Sequence, residues 1–167
     1  MSKLYLLRHA KAGWALPGMR DFDRPLDASG VRDADAMGLA MRERGYVPDL
    51  TLCSTAVRAR QTLEGVAAHA DTGRVVFIEA LYSGDAAAYL SAIHDHDGRG
   101  SILVVGHNPS MEDLAIALTG SGSAAALASL SSGFPTSGLA VLKFETKLRY
   151  AAPGTGELKT FLSPALL

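Results

Sequence analysis

The residues best suited to chemistry in this chain stand just after its apolar runs. Arg8 and His9 follow Leu4–Leu7, and His107 follows the run Ser101–Val105 and Gly106. Arg58 falls in the first turn of the helix expected after Leu50–Cys53. If these runs are buried parallel strands, their carboxyl ends open on a single crevice, where open α/β sheets bind ligands. A lone histidine after a strand is more often structural than catalytic. Two of them placed together with two arginines are a different matter: without a carboxylate cluster they make a poor metal site and a good phosphate site. Arg58 adds a second hint. A helix N-terminus carries partial positive charge, so a cation in its first turn is mildly disfavoured. An anion held between the guanidinium and the helix amides removes the conflict, and a phosphoryl group fits best. Arg60, in the same turn, reads as a solvated surface arginine.

These residues lie in four motifs, LYLLRHAK (Leu4–Lys11), DFDRPLDASG (Asp21–Gly30), STAVRARQT (Ser54–Thr62) and VVGHNPS (Val104–Ser110). In this order they resemble the histidine phosphatase superfamily, and the second narrows the resemblance to its SixA-type phosphohistidine phosphatases. The resemblance runs from Leu4 to the last strand. It implies a histidine phosphatase fold over residues 1–167 as one domain. It also implies that His9 accepts the phosphoryl group and that Arg8, Arg58 and His107 bind phosphate. Two departures matter: Ala10 stands where the wider superfamily has glycine, and Asn108 where the acid-phosphatase branch has an aspartate acid. Glu79, at the end of the third strand, resembles the acid of the phosphoglycerate mutase branch, and Tyr82 fits that branch loosely. Glu79 reads equally well as a surface carboxylate.

The mechanism expected is attack on phosphorus by neutral His9 through one ring nitrogen, with a backbone carbonyl holding the other. Arg8, Arg58 and a protonated His107 would supply the positive charge, so no cofactor or metal is expected. An ester leaves as an alkoxide and wants a nearby acid, whereas a phosphoramidate nitrogen can be protonated before it leaves. The missing aspartate after His107 therefore favours phosphohistidine, carried on a partner protein, over small phosphorylated substrates. A small-molecule phosphomonoesterase and a catalytically idle phosphate-binding module are the alternatives.

Other patterns are weaker. HDHD (His94–Asp97) could ligate metal but reads better as a solvated helix end and turn. Gly120–Ala125 fits GxGxxA, yet follows a helix rather than a strand, so a dinucleotide site is not expected. Trp14 lines a rim or plugs a surface gap.

To position the site, apolar runs and longer amphipathic segments must alternate, the pattern of an α/β fold with a mostly parallel central sheet and helices on both faces. Asp27 should cap a helix that Gly45 stops, with Val31, Ala34, Met37 and Met41 inward. Ser54 or Thr55 should cap the next, from there to about His69. Strands are expected at Val75–Ile78 and Ser101–Val105, a short helix at Ala86–His94, and a helix opened by Pro109. The Ser/Ala/Gly-rich stretch Ser121–Ser137 reads as irregular. Leu139–Phe144 and Leu158–Phe161 close the chain as paired strands.

Composition sets the bounds. The chain has 167 residues, 48% hydrophobic and 20% charged, which excludes a disordered chain and provides a full core. Sixteen basic against 17 acidic residues give a net charge of −1, so coating nucleic acid or anionic membrane is not expected. The single cysteine, Cys53, allows neither an internal disulfide nor a zinc cluster. The start MSKLYLLRHAK reads as neither signal peptide nor membrane span, so a cytoplasmic location is expected.

Overall fold

The computed structural model describes residues 1–96 and 99–167. Strands β1 (Ser2–Arg8), β2 (Leu50–Ser54), β3 (Arg74–Ile78), β4 (Ser101–Gly106), β5 (Thr119–Gly122), β6 (Leu139–Phe144) and β7 (Gly156–Leu162) form one sheet, ordered β3-β2-β4-β1-β6-β7-β5. β2, β3, β4 and β1 pair in parallel. β6 runs against both β1 and β7, and β5 pairs with β7 in parallel. The sheet is thus mostly parallel, and the carboxyl ends of β1, β2 and β4 lie side by side.

Helices α1 (Ala28–Arg44), α2 (Val57–Ala67), α3 (Ala80–Ser83), α4 (Ala86–Asp95), α5 (Ser110–Leu118) and α6 (Ala124–Ser131), with short 3-10 helices at Asp21–Asp23, Leu148–Tyr150 and Pro164–Leu166, complete the described elements. Alternate strand residues feed opposite faces. Leu4, Leu6, Leu52 and Val104 pack with Tyr89, Ile93, Met111 and Leu114 of α4 and α5. Tyr5, Leu7, Cys53 and Val105 pack with Met37 and Met41 of α1 and with Leu63 and Val66 of α2. Because both faces are covered, the parallel strands read as unbroken apolar runs.

Helix α1 begins and ends as its sequence indicates. The Asp27 carboxylate accepts from the Gly30 amide at 2.7 Å, and Gly45 stops the helix at φ 68°. Val31 is a correction: it is 52% exposed, and the inward position in that turn is Gly30. A Cβ on Gly30 would stand 2.1 Å from the Lys11 carbonyl oxygen, so glycine is what lets α1 close on the loop after β1.

Two further expectations change. Helix α2 has Ala56 as its N-cap with no side-chain cap bond; Ser54 belongs to β2 and Thr55 caps nothing. The stretch expected to be irregular contains part of β5 and all of α6. The Ser123 hydroxyl caps α6 by accepting from the Ala126 amide, and the alanines that follow favour helix. Gly120 and Gly122 let β5 approach the Gly154 and Leu158 backbones, closer than side chains would allow. Among the described residues no helix is long and apolar enough to cross a membrane.

Candidate active site

The backbone around His9 is pinned from both sides. The His9 amide donates to the Gly106 carbonyl at 2.9 Å, and the Arg8 amide to the Gly138 carbonyl at 3.1 Å. Ser137, held at φ 58°, donates its amide to the carbonyls of both Arg8 and His9. A non-glycine residue in the left-handed region is a strained conformation that only dense surroundings maintain. Below, the Ala10 amide donates to Thr62 Oγ1 at 2.9 Å, and that hydroxyl donates to the Arg58 carbonyl at 2.7 Å. One threonine therefore ties the helix that carries Arg58 to the loop that carries His9. Ala10 is wholly buried against Leu26 and Ala34, so its methyl group fits where the wider family has glycine.

The His9 imidazole is buried, with Nδ1 2.7 Å from the Ala10 carbonyl oxygen. A carbonyl only accepts, so Nδ1 carries the proton and Nε2 keeps its lone pair. Burial, and then the cations Arg58, Arg8 and Arg24, push the His9 pKa down to about 4 against the opposing pull of the Ala10 carbonyl. At neutral pH this is an uncharged imidazole with one free nitrogen.

The His107 ring lies 5.0 Å from that of His9, centroid to centroid, and Tyr82 meets it edge-on at 5.5 Å. Its amide donates to the Tyr89 hydroxyl at 2.9 Å, and its Nε2 sits 2.7 Å from Ser54 Oγ. The expected imidazolium is corrected here. Burial first, then His9 and Arg58, push the His107 pKa down to about 3. The positive charge around His9 comes from the arginines.

Arg58 is buried and already has an anionic neighbour. Its Nη1 donates to the Asp21 carbonyl at 2.8 Å and its Nη2 to Asp21 Oδ2 at 3.1 Å. Asp21 also accepts from Arg24 Nη1 at 2.9 Å and from the Tyr82 hydroxyl at 2.8 Å. Its pKa falls to about 2, chiefly through Arg24, with Tyr82 and Arg58 adding to the effect. A side chain of this chain thus offsets the cation at the start of α2. The contacts to Arg58 engage two of the five N–H donors that a guanidinium carries. Arg60 instead lies over the Phe77 ring at 5.2 Å and is exposed.

Arg8 Nη1 donates to the Phe134 carbonyl at 3.0 Å, which also accepts from Asn108 Nδ2 at 2.9 Å. Asn108 Oδ1 accepts from the Glu112 amide, so both ends of this amide serve the fold. Among the described residues, four side-chain polar atoms are buried without a hydrogen-bond partner: Arg8 Nε, Thr55 Oγ1, His107 Nδ1 and Ser137 Oγ. All four belong to residues at this one end of the sheet. Buried groups left this way usually await a ligand or water.

Glu79 is exposed at the N-cap of α3, with no side-chain hydrogen bond among the described residues. Trp14 is 93% exposed and plugs no gap. Of HDHD, Asp97 lies outside the described residues. His94 and His96 are spent on the carbonyls of Ala151 and Ala92, and no metal-holding group of three such side chains occurs among the described residues. Sequence reasoning missed Ser54, Asp21 and Thr62 as parts of this site. Each lay within a recognised motif, yet only the fold shows its partner.

The two depressed histidines make stability pH-dependent. An unfolded histidine binds a proton near pH 6.5, whereas folded His9 and His107 do so only near 4 and 3. Below about pH 6.5 the unfolded chain holds more protons, so stability should fall steadily with pH, by up to a few kcal/mol per histidine. Thermal melts from pH 7.5 to 4.5 should show this fall. They should flatten in a His9→Gln/His107→Gln double variant; an equally steep fall there would assign the effect to other groups.

The family model described as histidine phosphatase superfamily (branch 1) matches residues 4–82. An uncharacterized protein of Mycobacterium tuberculosis, Rv1276c, is 38% identical over 161 residues, covering 95% of this chain and 99% of that one. A crystal structure from Agrobacterium tumefaciens, assigned as the phosphohistidine phosphatase SixA, superposes with a TM-score of 0.83 at 41% identity, covering 98% of each chain. A SixA structure from Nakamurella multipartitia, assigned likewise, gives 0.84 at 32% identity, covering 98% of this chain and 96% of that one. With His9, His107 and their arginines gathered at one sheet end, the chain belongs to the histidine phosphatase superfamily as a SixA-type member.

Proposed function

We propose that this phosphatase is a phosphohistidine phosphatase that works without metal through a phosphoryl group carried on His9. The observation behind the reading is the pairing of a free His9 Nε2 with unpartnered donors on Arg8 and His107. In the first step Nε2 attacks phosphorus, the bond to the substrate nitrogen breaks, and the leaving imidazole takes a proton from solvent. Arg8, Arg58 and His107 hold the three equatorial oxygens as charge redistributes. In the second step water attacks the same phosphorus, releasing phosphate and restoring neutral His9. The guanidinium groups supply the charge neutralisation that a metal provides in other phosphatases.

The substrate class follows from the acid. Asn108 is committed to the fold, and Glu79 is the remaining carboxylate that the family pattern suggests for this role. An alkoxide leaving group depends on such an acid and an imidazole does not. Assayed with excess chelator, Glu79→Gln should therefore cost little with phosphohistidine and about 10²–10⁴ in rate with alkyl phosphates. A large, equal loss on both would place Glu79 in the shared hydrolysis step and remove the basis for preferring phosphohistidine. An unmodified protein that turns over neither substrate would leave only a phosphate-binding module.

A further inference from the structure

We infer that Ser54 is a positioning residue that fixes the tautomer of His107, so that the ring offers Nδ1–H to the transferring phosphoryl group. The inference rests on the phosphatase reading and assigns a task to a residue outside the phosphate-binding set.

Ser54 is the last residue of β2 and wholly buried. Among the described residues its Oγ has two hydrogen-bonding neighbours, the Ala56 amide at 3.2 Å and His107 Nε2 at 2.7 Å. The amide can only donate, so it takes one of the oxygen's lone pairs. The hydroxyl proton then has a single destination, the lone pair of His107 Nε2. In the reverse arrangement Nε2–H would donate to Oγ, and the hydroxyl proton would be buried with no acceptor among the described residues, which is costly. With Nε2 accepting, a neutral imidazole must carry its proton on Nδ1. That atom is buried and has no partner among the described residues, and the ring it belongs to stands against His9. The reverse tautomer would turn a lone pair, rather than a donor, toward phosphoryl oxygens. The Tyr89 hydroxyl accepts from the His107 amide and fixes the backbone that carries the ring, while Tyr82 bounds the ring edge-on. Because burial and the nearby cations keep His107 uncharged, the choice between tautomers decides whether it helps or repels.

The Ser54 contact replaces the helix cap that its position suggests. A serine before a helix normally turns its oxygen to the first-turn amides. Here the amide of the N-cap residue Ala56 takes one lone pair of Oγ, and the hydroxyl proton is left with His107 Nε2 as its acceptor.

The test is carried first by nuclear magnetic resonance on protein labelled with ¹⁵N-histidine, which reads the tautomer without turnover. His107 should show a protonated Nδ1 and an unprotonated Nε2 at neutral pH, and a protonated Nε2 would overturn the inference. Ser54→Ala should let the tautomers mix and lower kcat/KM about tenfold, in line with losing one hydrogen bond, while Ser54→Thr should restore both signal and rate. Wild-type kinetics in Ser54→Ala would also overturn it. If the wild-type protein shows the expected tautomer but hydrolyses no phosphoryl substrate, the proposed function fails and the assignment of Ser54 to the His107 tautomer stands.

Discussion

His9→Ala should abolish turnover, by at least about 10⁴-fold, because it removes the atom that forms the covalent intermediate. His9 is the one imidazole whose Nδ1 is held by a backbone carbonyl beside the arginines, which leaves Nε2 free to attack. No neighbour can replace it, since His107 Nε2 is engaged by Ser54. A rapid quench of the wild-type protein with a phosphoryl donor should trap a phosphoenzyme that is acid-labile and base-stable, the behaviour of a phosphorylated imidazole. The same quench of His9→Ala should trap none. The variant should still fold, because the bonds that fix this segment come from backbone amides and carbonyls. An acid-stable phosphoenzyme, or turnover that survives without His9, would move the nucleophile elsewhere.

The parts legible in the sequence are those set by short-range rules. Buried parallel strands are continuous apolar runs, so Leu4–Leu7 and Ser101–Val105 stood out, and with them the residues at their ends. The Asp27 cap and Gly45 stop of α1 are local chemistry and were readable as such. What was not legible depends on partners distant along the chain. Ser54 looked like a helix cap because the residue that claims its hydroxyl is His107. Asp21 opens a short 3-10 helix and meets Arg24, Arg58 and Tyr82, and no local pattern reveals the meeting with the last two. The suppressed charge of His107 is equally illegible, since it comes first from burial, which only the fold creates. The strand and helix within Thr119–Ser131 were hidden because small residues carry little pattern, and close backbone approach is what uses them.

His107→Ala should lower kcat by about 10²–10³, roughly 3 kcal/mol, the cost of removing one preorganised donor to a developing oxyanion. A neutral donor contributes little to holding the substrate before reaction, because Arg8 and Arg58 already supply the full positive charges. Its hydrogen bond should strengthen as charge shifts among the phosphoryl oxygens, so the loss should fall on kcat with KM nearly unchanged. Had the ring been an imidazolium, its removal would also weaken ground-state binding and raise KM. The two cases differ in pH dependence as well. A catalytic imidazolium would make the rate fall as pH rises through its pKa, whereas a ring held neutral down to about pH 3 should leave no such step between pH 5 and 8. Stopped-flow measurement of phosphoenzyme formation across that range would test the point directly. A bound phosphoryl dianion raises the pKa of a facing imidazole, so a descending limb in kcat alone would show that substrate itself protonates His107. The same limb in kcat/KM would mean that free His107 is charged. A rise in KM with kcat intact would reduce His107 to a substrate-binding residue and leave Arg8 and Arg58 to stabilise the transition state.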